Sequence, residues 1–169
     1  MAVAAPRRPP YSREAMPDTP PEAPTSATAG DPEAGFLLDP RLEADTIHLG
    51  DLPLSRALLM NDARFPWLIL VPRRAGASEI ADLDEVDATA LMGEIRLSAR
   101  LLAEIAGPDK TNVGALGNIV TQLHVHIVAR FLSDPAWPGP VWGHGARTPY
   151  PPHAAHALVE RLRAAFAAA

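Results

Sequence analysis

The chain contains no cysteine, which excludes a disulfide framework and any thiolate-held metal. It has no apolar run near the roughly 18 residues that would span a bilayer, so no membrane attachment is expected. Excess positive charge is missing too: the formal net charge is −5, with both signs scattered along the chain. Generic polyanion binding and stable nucleic-acid binding are therefore not expected, although a local cationic pocket stays compatible with that balance. Arg7 and Arg8 lead into proline-rich polar sequence instead of the apolar stretch of a secretory signal. The expectation is a soluble cytoplasmic protein.

What the 169 residues do hold is enough chain for one domain with a sizeable core. Residues 1–34 carry eight of the nineteen prolines and no periodicity. Such a composition cannot bury enough apolar surface to offset chain entropy, so it reads as a disordered tail. Residues 35–143 read as the globular domain, and 144–169 as a linker and a short helix with Leu158, Leu162 and Phe166 on one face. Two short extended pieces lie at 36–38 and 46–49, separated by Asp39-Pro40. Residues 54–60 and 66–72 read as two strands around the turn Asn61-Asp62-Ala63-Arg64. The continuous apolar run Trp67 to Val71 suits a central buried strand, and Arg73 and Arg74 after it read as solvated charges. From Ser78 to Ala106 the apolar spacing predicts a helix, with acidic residues at its start and Gly107-Pro108 at its end. Residues 110–118, with Gly114 and Gly117, read as a turn whose backbone can approach a ligand closely. Prolines stiffen residues 134–143.

The chemistry concentrates in residues 118–131, read as one strand. Its alternation puts Ile119, Thr121, Leu123, Val125, Ile127, Ala129 and Phe131 on one face. On the other, Gln122, His124 and His126 stand in a row, about 7 Å apart at 3.4 Å rise per residue. Half-buried imidazoles are costly unless paired or used. Three readings compete for them. They are hydrogen-bonded structural histidines, or two ligands of a metal that still lacks a third, or a nucleophile and a donor acting on phosphorus. Spacing alone leaves the three open.

Gln122-Leu123-His124-Val125-His126-Ile127-Val128 resembles the His-φ-His-φ-His-φ-φ signature of the histidine-triad (HIT) family, where φ is apolar and Gln122 stands in place of the first His. The resemblance implies an α+β fold, with an antiparallel sheet of about five strands and one main helix across it, in a homodimer. It implies nucleotide hydrolysis or nucleotidyl transfer at an α-phosphate, with His124 as nucleophile, His126 as a phosphate donor and Gln122 as a neutral donor that cannot deliver a proton. The substrate would be a dinucleoside polyphosphate or a phosphoramidate; the alternative is a protein that binds or senses nucleotides without turning them over. By the same resemblance Asp62 would contact the ribose, Asn112 and Asn118 the phosphates, and Trp137 would reach towards a neighbouring active site. No cofactor and no protein-held metal are implied, although Mg²⁺ could arrive on a polyphosphate.

Overall fold

The computed structural model describes residues 35–169. The tail assigned to residues 1–34 lies outside the described residues. The first element, α1 (Pro40–Asp45), starts where the sequence suggested only a break between extended pieces. Asp39 caps it by accepting the Arg41 N–H at 2.9 Å. Pro40 sits at its first position, where no donor is lost.

Five strands follow: β1 (Thr46–Asp51), β2 (Ser55–Met60), β3 (Trp67–Pro72), β4 (Lys110–Gly114) and β5 (Val125–Arg130). They form one antiparallel sheet in the order β1-β2-β3-β5-β4. The α+β architecture is the one expected. Two local expectations are corrected. Residues 110–114, taken for part of a turn because of their glycine, pair as an edge strand against β5. Only residues 125–130 of the expected long strand are extended, because residues 118–124 find no ladder. The β3 pairing ends at Leu70 with Val125, and the β4 pairing ends at Gly114 with His126. The carbonyls of Ile119 and Gln122 are instead taken by the side chains of Arg41 and His124.

The main helix, α2 (Glu85–Ala106), begins later than the expected Ser78, because Asp84 caps it by accepting the Asp87 N–H at 2.8 Å and only a short turn at Ile80–Asp82 precedes it. It ends on Gly107, whose φ of 61° is the left-handed conformation that glycine adopts without strain. Leu91, Ile95 and Leu102 of α2 pack on the sheet face that carries Leu59, Leu68, Leu70, Val125 and Ile127. The last helix, α3 (Pro152–Ala167), brings Val159 and Leu162 into the same core. Each buried Leu or Val contributes about 1.5–3 kcal/mol. On the opposite face Leu58, Trp67, Ile69 and Val128 are covered by Leu42, Phe65, Val120 and Val141. A sheet covered on both faces explains why β3 and β5 are buried at every position.

Charge is also drawn inside, and the solvated reading of the Arg73-Arg74 pair is corrected. Arg73 is buried, pairs with Asp51 at 3.2 Å and donates to the carbonyls of Leu52 and Pro53. Arg74 forms a two-point pair with Asp87. Arg130 is 1 % exposed and is held by Asp134 at 2.7 and 3.1 Å, by Asn112 at 2.6 Å and by the Gly139 carbonyl at 2.9 Å. Removing one partner of such a pair strands a buried charge. Asp134→Ala is therefore expected to lower the unfolding free energy by about 3–5 kcal/mol, read from denaturant melts; a loss below about 1 kcal/mol would mean that water reaches Arg130.

Candidate active site

Antiparallel register sets the site. His126 of β5 stands opposite Ile69 of β3 on one side and Gly114 of β4 on the other. Trp67 lies opposite Val128, diagonal to His126 on the same face and within reach of a long side chain. Its indole N–H donates to Nδ1 of His126 at 3.0 Å. An indole can only donate, so Nδ1 is the acceptor and the ring's one proton sits on Nε2. Burial first, and then the neighbouring His124, push His126 down to about 3. His126 is thus a neutral donor through Nε2 across the whole physiological range.

His124 has the opposite arrangement. Its Nδ1 lies 2.7 Å from the backbone carbonyl of Gln122, an acceptor only, so that nitrogen carries the proton and Nε2 keeps the lone pair. Both rings are nearly buried, and their centroids are 4.8 Å apart with planes at 82°. They meet at a cleft of about 400 Å³, within the range of small-molecule sites. The loop residues Gly117 and Asn118 form one side of it; Leu42 and Met60, with Trp67 and Trp142, contribute apolar walls. Asp45, ion-paired with Arg147 at 2.5 Å, supplies a carboxylate at the cleft. Among the described residues no cluster of three or more His, Cys, Asp or Glu could hold a metal ion.

Of the residues singled out in the sequence, His124, His126 and Asn118 come together here, and four do not line the cleft. Gln122 leaves the histidine row, because residues 118–124 are not extended. Its amide oxygen accepts the Asp39 N–H at 2.9 Å and its amide nitrogen donates to the Leu37 carbonyl at 2.8 Å. Asp62 is 2 % exposed, in the turn after β2. Burial opposes its ionisation, yet the Arg64 guanidinium and the Thr148 and Arg64 amides hold its carboxyl below the usual range. It ties down the approach to α3 instead of facing the cleft. Asn112 is on β4, where its side-chain oxygen accepts from Arg130. Trp137 stacks over the Arg130 guanidinium at 5.7 Å and is partly exposed.

Sequence reasoning missed Trp67, Trp142, Leu42 and Asp45. Trp67 looked like an ordinary core residue in an apolar run, and nothing in the spacing ties it to a histidine 59 residues away. Trp142 fits because Gly114 has no side chain. A Cβ there would come within 3.0 Å of the Trp142 ring, whose centroid is 5.8 Å from that of His126.

The HIT domain pattern matches residues 41–132. The chain belongs to the histidine-triad family. Solved histidine-triad proteins agree along most of their length. One from Bradyrhizobium japonicum is 50 % identical with a TM-score of 0.75, covering 77 % of this chain and 97 % of its own. One from Sinorhizobium meliloti 1021 is 48 % identical with a TM-score of 0.75, over 77 % and 96 %. One from Marinobacter aquaeolei VT8 is 44 % identical with a TM-score of 0.75, over 77 % and 95 %. A search of curated proteins gave no match. No helix among the described residues of this HIT protein is long and apolar enough to cross a membrane.

The neutral His126 makes stability depend on pH. An unfolded chain takes up a proton at this ring as pH falls below about 6.5, whereas the folded one does so only near 3. Stability present above 6.5 is therefore lost progressively as pH falls through that interval. Between about pH 7 and 5.5, above the carboxylate range, His126→Gln is expected to show a smaller drop in Tm than the parent protein. Parallel curves would place the acid-labile group elsewhere.

Proposed function

We propose that this chain is a nucleotide hydrolase or nucleotidyl transferase acting at the α-phosphorus of a nucleoside phosphate. The observation that carries the reading is the pair of adjacent imidazoles in opposite tautomers at one cleft, one with a lone pair on Nε2 and the other with a proton there. His124 Nε2 attacks phosphorus as the bond to the leaving group breaks. The ring then carries positive charge, which the Nδ1–H contact to the Gln122 carbonyl stabilises. Water next cleaves the nucleotidyl–histidine bond, releasing nucleoside monophosphate, regenerating neutral His124 and passing a proton to solvent. His126, through Nε2–H, and the Asn118 amide donate to the phosphoryl oxygens as negative charge builds.

Nothing in this arrangement protonates a leaving group. The Gln122 amide is engaged away from the cleft, and a neutral imidazole is a poor acid. That favours a leaving group stable as an anion, hence a dinucleoside polyphosphate ahead of a phosphoramidate, with Mg²⁺ arriving on the substrate if present. Asp45 takes the sugar-facing role first assigned to Asp62, and the apolar walls take the base. A homodimer belongs to the same proposal; the exposed Val86 and Met92 of α2 and Val113 at the β4 edge offer apolar surface for it.

His124→Ala is expected to abolish release of nucleoside monophosphate from diadenosine tetraphosphate while calorimetry still detects nucleotide binding. Undiminished release from that variant ends the covalent reading. A parent protein that binds nucleotide and releases nothing is a nucleotide-binding member of its family that does not turn its ligand over.

A further inference from the structure

Gln122 occupies the place of the first histidine of the signature, yet its side chain does not face the cleft. Its two amide atoms are both used on the backbone of the segment before α1: Oε1 takes the Asp39 N–H and Nε2 gives to the Leu37 carbonyl. This two-point contact fixes the amide plane and the residue that bears it. The same residue's main-chain carbonyl is the acceptor for His124 Nδ1 at 2.7 Å.

The surrounding contacts reinforce that link. Arg41 donates through Nη1 to the Ile119 carbonyl at 2.7 Å, three residues before Gln122. Arg41 is itself aimed by Asp39, which it meets through Nε at 2.9 Å and Nη2 at 2.7 Å. On the other side of Gln122, the Leu123 N–H donates to the Ala77 carbonyl at 2.9 Å. Residues 118–124 belong to no strand, so these contacts and not a ladder set the loop's position.

We propose that Gln122 is a positioning residue: with Asp39 and Arg41 it clamps residues 37–41 to the loop 119–122 and so holds the carbonyl that keeps the His124 proton on Nδ1. This rests on the reading of His124 as the nucleophile, because only that tautomer leaves the lone pair on Nε2. In free imidazole the two tautomers interconvert readily, so a carbonyl in register is what selects one of them. The positive ring formed during attack leans on the same carbonyl, which makes the clamp matter more at the transition state than for substrate binding. A histidine at position 122 would not restore a proton donor. The backbone at this position directs the side chain to the 37–39 segment, where the amide's adjacent oxygen and nitrogen meet an N–H and a carbonyl.

The test uses the full chain and two readouts, the ¹⁵N spectrum of the imidazoles and the kinetics of nucleoside monophosphate release from diadenosine tetraphosphate. In the parent protein His124 is expected as the Nδ1–H tautomer. Gln122→Ala removes both side-chain contacts. Gln122→Glu, nearly isosteric, turns the donor into a carboxylate oxygen facing the Leu37 carbonyl and guards against a simple failure to fold. Both variants are expected to show mixed His124 tautomers, with His126 unchanged. Their kcat should fall by about 10-fold or more with little change in KM, as small misplacements of reacting groups do. Gln122→His is expected to behave like them. A pure Nδ1–H tautomer in Gln122→Ala and Gln122→Glu, or a faster Gln122→His, would overturn the proposal. Because the spectrum reports the tautomer whether or not the parent protein turns substrate over, failure of the clamp and failure of the enzymatic reading are told apart.

Discussion

Each imidazole has two nitrogens, and everything the site can do follows from which one of each is already engaged. A donor-only indole faces Nδ1 of His126, and an acceptor-only carbonyl faces Nδ1 of His124. Two chemically identical side chains two residues apart thereby become a hydrogen-bond donor and a lone-pair donor. The partners are supplied from different parts of the fold. The indole comes from the central strand β3, whose position is fixed by pairing on both sides. The carbonyl comes from an irregular loop, fixed by the Gln122 and Arg41 side chains and by one backbone hydrogen bond from Leu123 to Ala77.

That division accounts for what was legible in the sequence. The strands β1, β2 and β3, the helix α2 with its Asp84 cap and Gly107 stop, and the terminal helix α3 are written in local periodicity and end signals. The pair His124 and His126 is local as well, since the two residues flank Val125, where β5 begins. The strand β4 was hidden because its glycine and asparagine resemble a turn, and only pairing with β5 makes it extended. Extending the strand signal back to residue 118 failed for the converse reason: alternation in the sequence does not supply a neighbour to pair with.

Site residues obeyed the same rule. Asp62 and Asn112 have the right residue types, but each is absorbed by a cation: Arg64 takes the carboxylate and Arg130 the amide, while Trp137 lies against Arg130 and keeps an exposed ring. An arginine two residues away is visible in the sequence, whereas Arg130 reaches its partners only because β5 turns its side chain inward among them. Asp45 and Leu42 reach the cleft through α1, a helix of six residues whose placement depends on long-range contacts. Trp67 is a core residue by every local measure and is tied to His126 through one hydrogen bond across the sheet.

Gly114 shows how little separates this cleft from a different one. Its bare α-carbon is the socket for the flat edge of Trp142, and that ring closes the wall beside His126. A methyl group there would press on the indole at 3.0 and 3.2 Å and force it to give by a few tenths of an ångström, which changes the cleft wall beside His126. Related chains could thus shape this cleft differently by altering a residue that does not line it.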